Sequence, residues 1–418
     1  MPASAPRRIP PEAHLRWDQV AAFRLDRHRL STPASPRELA DVVGGMAGVQ
    51  AQLPSAAEIS LWARIPDLRR DQLTAALGPD RSLARAWCMR RTVHLVPARD
   101  LAIYVRGTAH RADREITWMR GKGAKPDELE ALIACVLRAL DRPRTRTEVA
   151  ERVAEDLGLR SAVHRGGGWG NERDHAAVEV AGLPVPGDYL LHLAGARGVV
   201  CAGPSRENEA TFVRGDAWVR EWRDVPPERA EAELLRRYLR AFAPARVDDF
   251  AWWTGMRLSN AAAAWGRLSE EIAAVDVEGA SAAALRADLA ELRDARLDPR
   301  RVHLLPYFDG FLLGHRDDRH AVRTQHRAAV YRPQGWVAPV VLHRGRALGT
   351  WRHERHGARV RIEISPFGAI RAEVARRAAS TGEELGRFLG GGTTEISVRG
   401  PRAGRGRATG GRPRKGTG

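Results

Sequence analysis

The sequence predicts an α+β protein in which three groups of helices, each followed by a short strand ribbon, precede a β-rich C-terminal domain. Apolar residues recur at helical spacing behind helix-capping residues in the first three groups, and they alternate with polar residues, as in strands, after residue 319. The chain of 418 residues is also too long for one ordinary hydrophobic core, so several packed units are expected.

The first unit is predicted to span residues 1–120 and to open with a helix over residues 15–25. Capping boxes precede its next two helices, and they are formed by Ser35 with Glu38 and by Ser55 with Glu58. Over residues 83–96 apolar and polar positions alternate, which predicts a strand ribbon. Helices followed by such a ribbon have the outline of a winged helix.

A similar order recurs twice, less clearly. The second unit is predicted to span residues 121–228, with a strand, a glycine-containing turn and a second strand over residues 189–203. The third unit is predicted to span residues 229–320, with a helix break at Pro244 and a strand over residues 272–277. The three units are too dissimilar in residues and spacing to establish a repeat from the sequence.

The C-terminal part of the chain is predicted to be β-rich. Strands are expected within residues 335–354 and 358–368, followed by a helix over residues 369–389, so that this domain spans residues 321–390. Residues 391–418 are rich in Gly and Arg, and they are predicted to form a disordered basic tail that adds nonspecific attraction to phosphates.

The charge of the chain indicates a polyanionic partner. The formal net charge is +17, and the chain remains basic without the seven Arg and Lys residues that follow residue 398. Nearly all of the basic residues are Arg, which binds phosphates through paired hydrogen bonds. A GC-rich coding sequence would enrich Arg in the same way, so the charge supports nucleic acid as the partner without identifying it.

Several classes of protein are not expected. Cys88, Cys135 and Cys201 are far apart and odd in number, with no C-x-x-C pair, so neither a disulfide framework nor a zinc site is predicted. The sequence has no apolar run long enough to span a membrane, and its first residues lack the apolar core of a signal peptide. We therefore expect a cytoplasmic protein that contains no metal and needs no cofactor.

Four segments carry a resemblance to a known family. Residues 44–64 read GGMAGVQAQLPSAAEISLWAR, and residues 87–101 read WCMRRTVHLVPARDL. Residues 304–320 read LLPYFDGFLLGHRDDRH, and residues 335–352 read GWVAPVVLHRGRALGTWR. In order and spacing these segments resemble the winged-helix DNA glycosylases of the AlkZ- and YcaQ-like family, and together they extend over nearly the whole chain except its termini.

The resemblance implies a fold and a function. The fold is three tandem winged-helix units followed by a C-terminal β-rich, barrel-like domain, in a bacterial protein that associates with the nucleoid when it binds DNA. The partner is double-stranded DNA with alkylated or crosslinked purines, and the protein is expected to be a monomer that does not bind membranes. The activity is that of a monofunctional DNA glycosylase, which excises N7- or N3-alkylated purines and has interstrand crosslinks as further candidate substrates.

Gln50 and Gln52 are the predicted catalytic residues. Without the family, two polar residues near a helix end are typical of solvated or capping groups. In the AlkZ-like branch, however, two glutamines separated by one residue are the catalytic motif, whereas the YcaQ-like branch has an aspartate at the second position. A purine alkylated at N7 or N3 is already cationic and leaves without an added proton, so neutral amides that hold a water near the sugar suffice. No lysine nucleophile is predicted, and hence no β-lyase activity.

Arg90, Arg91, Thr92 and His94 form the predicted DNA-binding group. On a strand next to a turn they could contact phosphates and the unpaired strand, with His94 as a further donor near the lesion. An alternative interpretation is structural. The aliphatic part of Arg91 would then pack on the sheet, and His94 would be an ordinary strand histidine.

Asp309 and Arg316 are predicted to have a supporting or DNA-contact role. The residues from 315 to 318 read HRDD, which resembles a metal or acid–base cluster, but the residues are too close in sequence for a convincing metal geometry. An Asp–Arg pair that joins two domains is the more common arrangement.

Two other functions remain open at this point. A winged-helix DNA-binding protein without catalysis, such as a transcriptional regulator, would also bind duplexes in a salt-sensitive manner. An RNA-binding or nucleoid-associated protein would account for the charge and the Arg/Gly tail, but not for the Gln-x-Gln segment. Release of a free base from damaged DNA distinguishes the enzyme from both.

Overall fold

The computed structural model describes residues 10–164, 175–206 and 209–399, and these residues form a mixed α+β protein, which confirms the predicted class. The α-helices are α1 (Trp17–Arg27), α2 (Leu39–Gly45), α3 (Pro54–Trp62), α4 (Arg70–Leu77), α5 (Leu101–Arg106), α6 (Asp113–Gly121), α7 (Pro126–Ala139), α8 (Arg146–Leu157), α9 (Gly187–Ala194), α10 (Gly215–Trp218), α11 (Pro227–Phe242), α12 (Val247–Thr254), α13 (Leu258–Arg267), α14 (Leu289–Asp294), α15 (Arg327–Val330) and α16 (Ala372–Phe388).

The strands are short in the first three quarters of the chain and longer near its C-terminus. They are β1 (Ala13–Leu15), β2 (Val49–Gln50), β3 (Leu83–Trp87), β4 (Val93–Pro97), β5 (Arg144–Thr145), β6 (Ser161–His164), β7 (His175–Val180), β8 (Leu183–Pro186), β9 (Val200–Ala202), β10 (Thr211–Arg214), β11 (Ile272–Val277), β12 (Ala280–Leu285), β13 (Val302–Leu305), β14 (Val340–His343), β15 (Arg346–His356), β16 (Arg359–Pro366) and β17 (Thr393–Val398).

The first helical group carries a small antiparallel sheet with the strand order β2-β4-β3. The predicted ribbon over residues 83–96 is a hairpin whose two strands are joined by a turn at Met89–Arg91. The capping box of Ser35 and Glu38 is present. Helix α3, in contrast, begins one residue before Ser55, because Pro54 occupies the first helical turn, where its missing N–H costs nothing.

The second group departs from the prediction over residues 189–203. Tyr189 to Ala194 belong to helix α9, and only the later part forms a strand, β9. The row of Leu190, Leu191 and Leu193 is buried in one core, and an apolar run of this length does not distinguish a helix from a strand by its period. Two three-stranded sheets, β5-β10-β9 and β6-β7-β8, accompany these helices.

The third group is built on α11, which packs against α5 and α13. Its sheet has the order β1-β11-β12, and β1 pairs in parallel with β11, Ala13 lying opposite Val275. The N-terminal strand therefore joins a sheet formed by residues more than 250 positions away. The predicted strand over residues 272–277 is β11.

The C-terminal domain contains an open sheet, not the predicted barrel-like one. Its order is β13-β14-β15-β16-β17, and within the described residues the edge strands β13 and β17 are not paired with each other. Helix α16 packs against β13 and β17, and it covers this face of the sheet, so closure is not needed to bury the apolar side chains.

The strand β17 also corrects the prediction of a disordered tail from residue 391. Residues 393–398 pair in parallel with β16, a long-range contact that the Gly- and Arg-rich composition does not reveal. Residues 400–418 lie outside the described residues.

Helix α3 connects the first unit to the C-terminal sheet. Ile59 and Trp62 on this helix pack with Trp351 and Ile362 in one apolar cluster, while Leu61 faces the core of the first unit. The helix that follows the Gln-x-Gln motif is therefore held from two sides.

Within the described residues, none of the helices combines the length and apolar character needed to cross a membrane. Cys88, Cys135 and Cys201 are buried free thiols.

Candidate active site

The Gln-x-Gln motif lies in an extended segment between a sheet and a helix. Gln50 is the last residue of β2 and lies opposite His94 of β4. The N–H of Ala51 continues this ladder and donates to the carbonyl of Val93 at 2.7 Å. Side chains alternate in extended backbone, so Gln50 and Gln52 are directed to the same side.

Both glutamines line one cavity of about 420 Å³. Arg90, Arg91 and Thr92 line it as well, from the turn between β3 and β4. The rest of the lining comes from distant parts of the chain, and four aromatic residues in it form the aromatic wall. Its aromatic residues are Trp252, Phe308, Tyr331 and Trp336.

Gln50 is held by Arg90. The Arg90 Nη2 group donates to Oε1 of Gln50 at 3.1 Å, and its Nη1 group donates to the carbonyl oxygen of Trp253 at 2.6 Å. The guanidinium carbon lies 5.5 Å from the centre of the Trp252 ring. Burial lowers the pKa of Arg90 to about 10, so the side chain remains protonated at neutral pH.

Gln52 is exposed and less constrained than Gln50. Its Oε1 atom accepts one long hydrogen bond, of 3.4 Å, from the N–H of Val93. Gln52 also lines a second, smaller cavity of about 210 Å³, together with the stacked rings of Trp87 and Phe212. One glutamine is therefore fixed and the other has room to adjust.

The structure gives Arg91 a carboxylate partner. Its guanidinium forms an ion pair with Glu115, which is only 1% exposed. Burial raises the pKa of Glu115, although the neighbouring Arg91 opposes this shift. Thr92 donates from Oγ1 to the carbonyl of Met89 at 3.1 Å and so closes the turn. Part of the charge of this predicted DNA-binding group is therefore already neutralised within the protein.

His94 is buried beneath the cavity and is not among the residues that line it. Its Nδ1 atom lies 2.9 Å from the carbonyl oxygen of Thr92, so this nitrogen carries the proton of the neutral ring. Burial lowers the pKa of His94 to about 3, and the adjacent Arg90 charge acts in the same direction. The histidine is thus a neutral group behind Gln50.

Asp309 is fully buried between α3 and the loop that carries Phe308. Its carboxylate accepts hydrogen bonds of 2.8 Å and 2.9 Å from Arg64 and one of 2.8 Å from the hydroxyl of Ser60. Burial raises the pKa of Asp309, but Arg64 and the hydrogen bonds outweigh it and hold the pKa below its usual range. The pair joins the helix after Gln52 to the aromatic wall of the cavity.

Arg316 lies apart from the glutamines. Its backbone N–H donates to Asp249 at 3.0 Å, while its side chain is 68% exposed and lies 3.9 Å from Asp248. It lines a different cavity, of about 420 Å³, with three other arginines. These are Arg246, Arg319 and Arg327. An exposed arginine in such surroundings can contact a phosphate.

The profile of the family described as DNA glycosylase AlkZ-like matches residues 43–389, which include all parts of the cavity. The chain belongs to the AlkZ-like DNA glycosylase family. This confirms both the resemblance and the enzyme class predicted from the sequence.

Two matches to this AlkZ-like protein, one to a curated sequence and one to a solved structure, come from Streptomyces sahachiroi. The interstrand DNA cross-link repair glycosylase is 31% identical over 344 residues, which are 80% of this chain and 87% of that relative. The solved structure of the DNA glycosylase AlkZ matches with a TM-score of 0.74 at 26% identity, and the match extends over 92% of this chain and 99% of that chain.

The aromatic wall of this AlkZ-like protein was not predicted as part of the site. Phe308 and Trp336 lie in two of the four segments that carry the resemblance, but nothing in the sequence distinguishes rings that line a cavity from rings in a core. Trp252 lies on α12 and is half-buried, beside the buried Trp253. Within residues 10–164, 175–206 and 209–399, no group of three or more His, Cys, Asp or Glu side chains is arranged to bind a metal ion.

Proposed function

We propose that this protein is a monofunctional glycosylase that releases N7- or N3-alkylated purines from double-stranded DNA by water-mediated hydrolysis. The observation that carries the proposal is that Gln50 and Gln52 line one cavity together with four aromatic side chains. Such side chains stack on a base that has been rotated out of the duplex. Membership of the AlkZ-like family supports the same reaction.

The chemistry needs little more than positioning. The purine of an N7- or N3-alkylated nucleotide carries a positive charge, and it leaves as a neutral base when it takes the electrons of the glycosidic bond. The oxygen of a water molecule forms the new bond to C1′, and its proton passes to solvent. Amides that hold this water beside the sugar are sufficient, because proper orientation alone removes a large part of the barrier.

The surroundings of the cavity support DNA as the substrate. Arg90 lines the cavity, and Arg316 is exposed in a separate cavity, so both are candidates for phosphate contacts. We further propose that the three helical groups with their small sheets act as tandem winged helices on one duplex, and that the protein works as a monomer in the cytoplasm.

Interstrand crosslinks are a further proposed substrate. The relative from Streptomyces sahachiroi is an interstrand DNA cross-link repair glycosylase, and this chain matches 87% of its length. A crosslink joined through purine N7 atoms contains the same cationic leaving group as a simple adduct. The same hydrolysis at one purine would then unhook it.

The purified protein is expected to release free base from a duplex that contains N7-alkylguanine and to leave an abasic site. The strand should break only after alkali is added, because no amine nucleophile is proposed for β-elimination. Chromatography of the released base and denaturing gels with and without alkali measure these outcomes. An unmodified duplex of the same sequence is the control. Tight binding without base release from any alkylated or crosslinked duplex would instead support the non-enzymatic DNA-binding alternative.

Base release is expected to vary little with pH between about 6.5 and 8.5, because Arg90 at the cavity and the buried His94 next to it each keep one charge state there. His94, with a pKa of about 3, stays neutral, and Arg90, with a pKa of about 10, stays protonated. Single-turnover rates at constant ionic strength test this. A step near neutral pH that disappears in a His94→Gln protein would contradict the neutral state of this histidine.

A further inference from the structure

The amide of Gln50 has a defined orientation because its partner can only donate. Gln50 is 9% exposed, and its side chain meets the Arg90 guanidinium at 3.1 Å. A guanidinium has five N–H donors and no acceptor, so the amide atom that faces it must be the carbonyl oxygen. Within the part of the chain that the structure describes, the Nε2 group of Gln50 has no hydrogen-bond partner. The amino end of this amide therefore remains available to a ligand in the cavity.

Arg90 is itself fixed from several sides. The turn that carries it is closed by hydrogen bonds between Cys88 and Thr92, and its backbone has a positive φ of 51°. Nη1 binds the carbonyl of Trp253 in the last turn of α12, where a helix leaves its carbonyls without internal partners. A Cβ atom on Gly255 would lie 3.2 Å from the Arg90 Cα, so the backbone of the turn packs directly against the end of α12.

The Arg90 charge has no carboxylate partner in the described residues, in contrast to Arg91, which binds Glu115. Arg90 is partly buried, and a charge in such a place without a counter-ion depends on its hydrogen bonds to offset the loss of water. Its two protein acceptors are the end of α12 and Oε1 of Gln50. This arrangement is suited to orienting an amide.

We propose that Arg90 is a positioning residue that holds the Gln50 amide with its Nε2 group facing the cavity. Gln50 then donates to an oxygen of the bound nucleotide, and Gln52, whose side chain is exposed and weakly held, provides the carbonyl that accepts from the attacking water. The two glutamines thus have different roles. This inference rests on the proposed function, and it assigns Arg90 an effect through Gln50 in addition to any phosphate contact.

A double-mutant cycle between Arg90 and Gln50 tests the inference. Single-turnover rates at saturating protein are measured for Arg90→Leu, Gln50→Ala and the double variant on a duplex with N7-alkylguanine, and the dissociation constant for DNA is measured separately. Arg90→Leu is expected to lower the rate about 10²-fold, as small misplacements of catalytic groups do. In the Gln50→Ala background, the same change is expected to alter the rate by no more than about twofold.

Arg332 provides the matched control, because it lines the same cavity and its side chain makes no hydrogen bond to Gln50 in the described residues. Arg332→Leu is expected to have the same effect in both backgrounds, whether on affinity or on rate. If Arg90 acted only through its charge or through the fold, Arg90→Leu would likewise have the same effect with and without the Gln50 amide. Thermal unfolding of each variant shows whether the fold is retained, and Arg90→Lys, which keeps the charge, replaces Arg90→Leu in the cycle if that variant is unfolded.

The outcomes separate this inference from the proposed function. Equal effects of Arg90→Leu with and without the Gln50 amide, in a protein that releases base, would overturn the inference alone. A full rate in Arg90→Lys would also overturn it, because one ammonium group cannot bridge Trp253 and Gln50 as the planar guanidinium does. Absence of base release in the unmodified protein would overturn the proposed function, and the inference with it.

Discussion

A protein that carries both Gln50→Ala and Gln52→Ala is expected to lose base release by about 10²–10⁴-fold, while its affinity for duplex DNA changes little. The two amides are the polar groups of the motif that reach the cavity. Gln50 accepts one hydrogen bond from Arg90 and Gln52 accepts a long one from the N–H of Val93, so they form no part of an extended structural network. Their loss removes the hydrogen bonds that orient water and nucleotide. It leaves the phosphate contacts and the aromatic wall in place.

Single-turnover rates at saturating protein measure this effect, and the dissociation constant for the same duplex is determined in parallel. Gln325→Ala is the matched control, because Gln325 is an exposed glutamine that does not line the cavity.

Gln52→Asp tests whether an acceptor alone is sufficient at the second position of the motif. Its carboxylate keeps an acceptor for the water but removes the amide donor, so it should retain more activity than Gln52→Ala.

A different outcome would identify another source of catalysis. If the double alanine variant released base at the rate of the unmodified protein, neither amide would take part in the reaction. Loss of DNA affinity in step with the loss of rate would show that the glutamines bind the nucleotide in its ground state instead of acting at the transition state.

The pair of glutamines could be selected from the sequence because the family resemblance points to a short local motif, and both residues line the cavity. Gln50 and Gln52 are separated by one residue, and an extended segment before Pro54 directs both to one side. The aromatic wall could not be predicted in this way. Trp252 and Phe308 reach the cavity from 200 or more residues beyond Gln52, and such long-range contacts leave no periodic signal.

Most of the other differences between the sequence predictions and the structure depend on contacts with residues that are distant in the sequence. Arg91 was a candidate for DNA contact, but whether its charge is free depends on Glu115, which is brought next to it by α6. The strand β17 exists because β16 offers an unpaired edge, and α9 is helical because its leucines fit a shared core. In each case local composition allowed two states, and tertiary packing selected one of them.

Asp309→Asn is expected to have the largest effect on stability, about 3–5 kcal/mol, because it leaves the buried Arg64 guanidinium without its counter-ion. Both side chains of this pair are fully inaccessible to solvent. Urea unfolding at neutral pH measures the loss. Asp317→Asn is the matched control, since its pair with Arg319 is exposed and contributes little.

The acid side of the stability curve provides a second measurement of the same pair. Arg64 and the hydrogen bonds hold the pKa of Asp309 below its usual range despite burial, whereas the unfolded chain has the ordinary pKa of about 3.9. The unfolded state therefore binds the proton more readily. The stabilisation is present above about pH 4 and is lost as the pH falls through the folded pKa. Asp309→Asn should lack this part of the acid-induced loss, and an unchanged acid limb would contradict the assignment.

A double replacement distinguishes the cost of an unpaired charge from the value of the pair itself. Replacing both Arg64 and Asp309 by apolar residues, as in Arg64→Met/Asp309→Leu, removes the buried charge together with its partner, so it should destabilise less than Asp309→Asn alone. Ser60 and the N–H of Phe311 would still lose an acceptor, so the double variant should have a lower free energy of unfolding than the unmodified protein. If the double variant were instead the less stable of the two, the pair would be a net source of stability between α3 and the wall of the cavity. Base release at a temperature where both variants are folded then shows whether this connection also sets the position of Phe308.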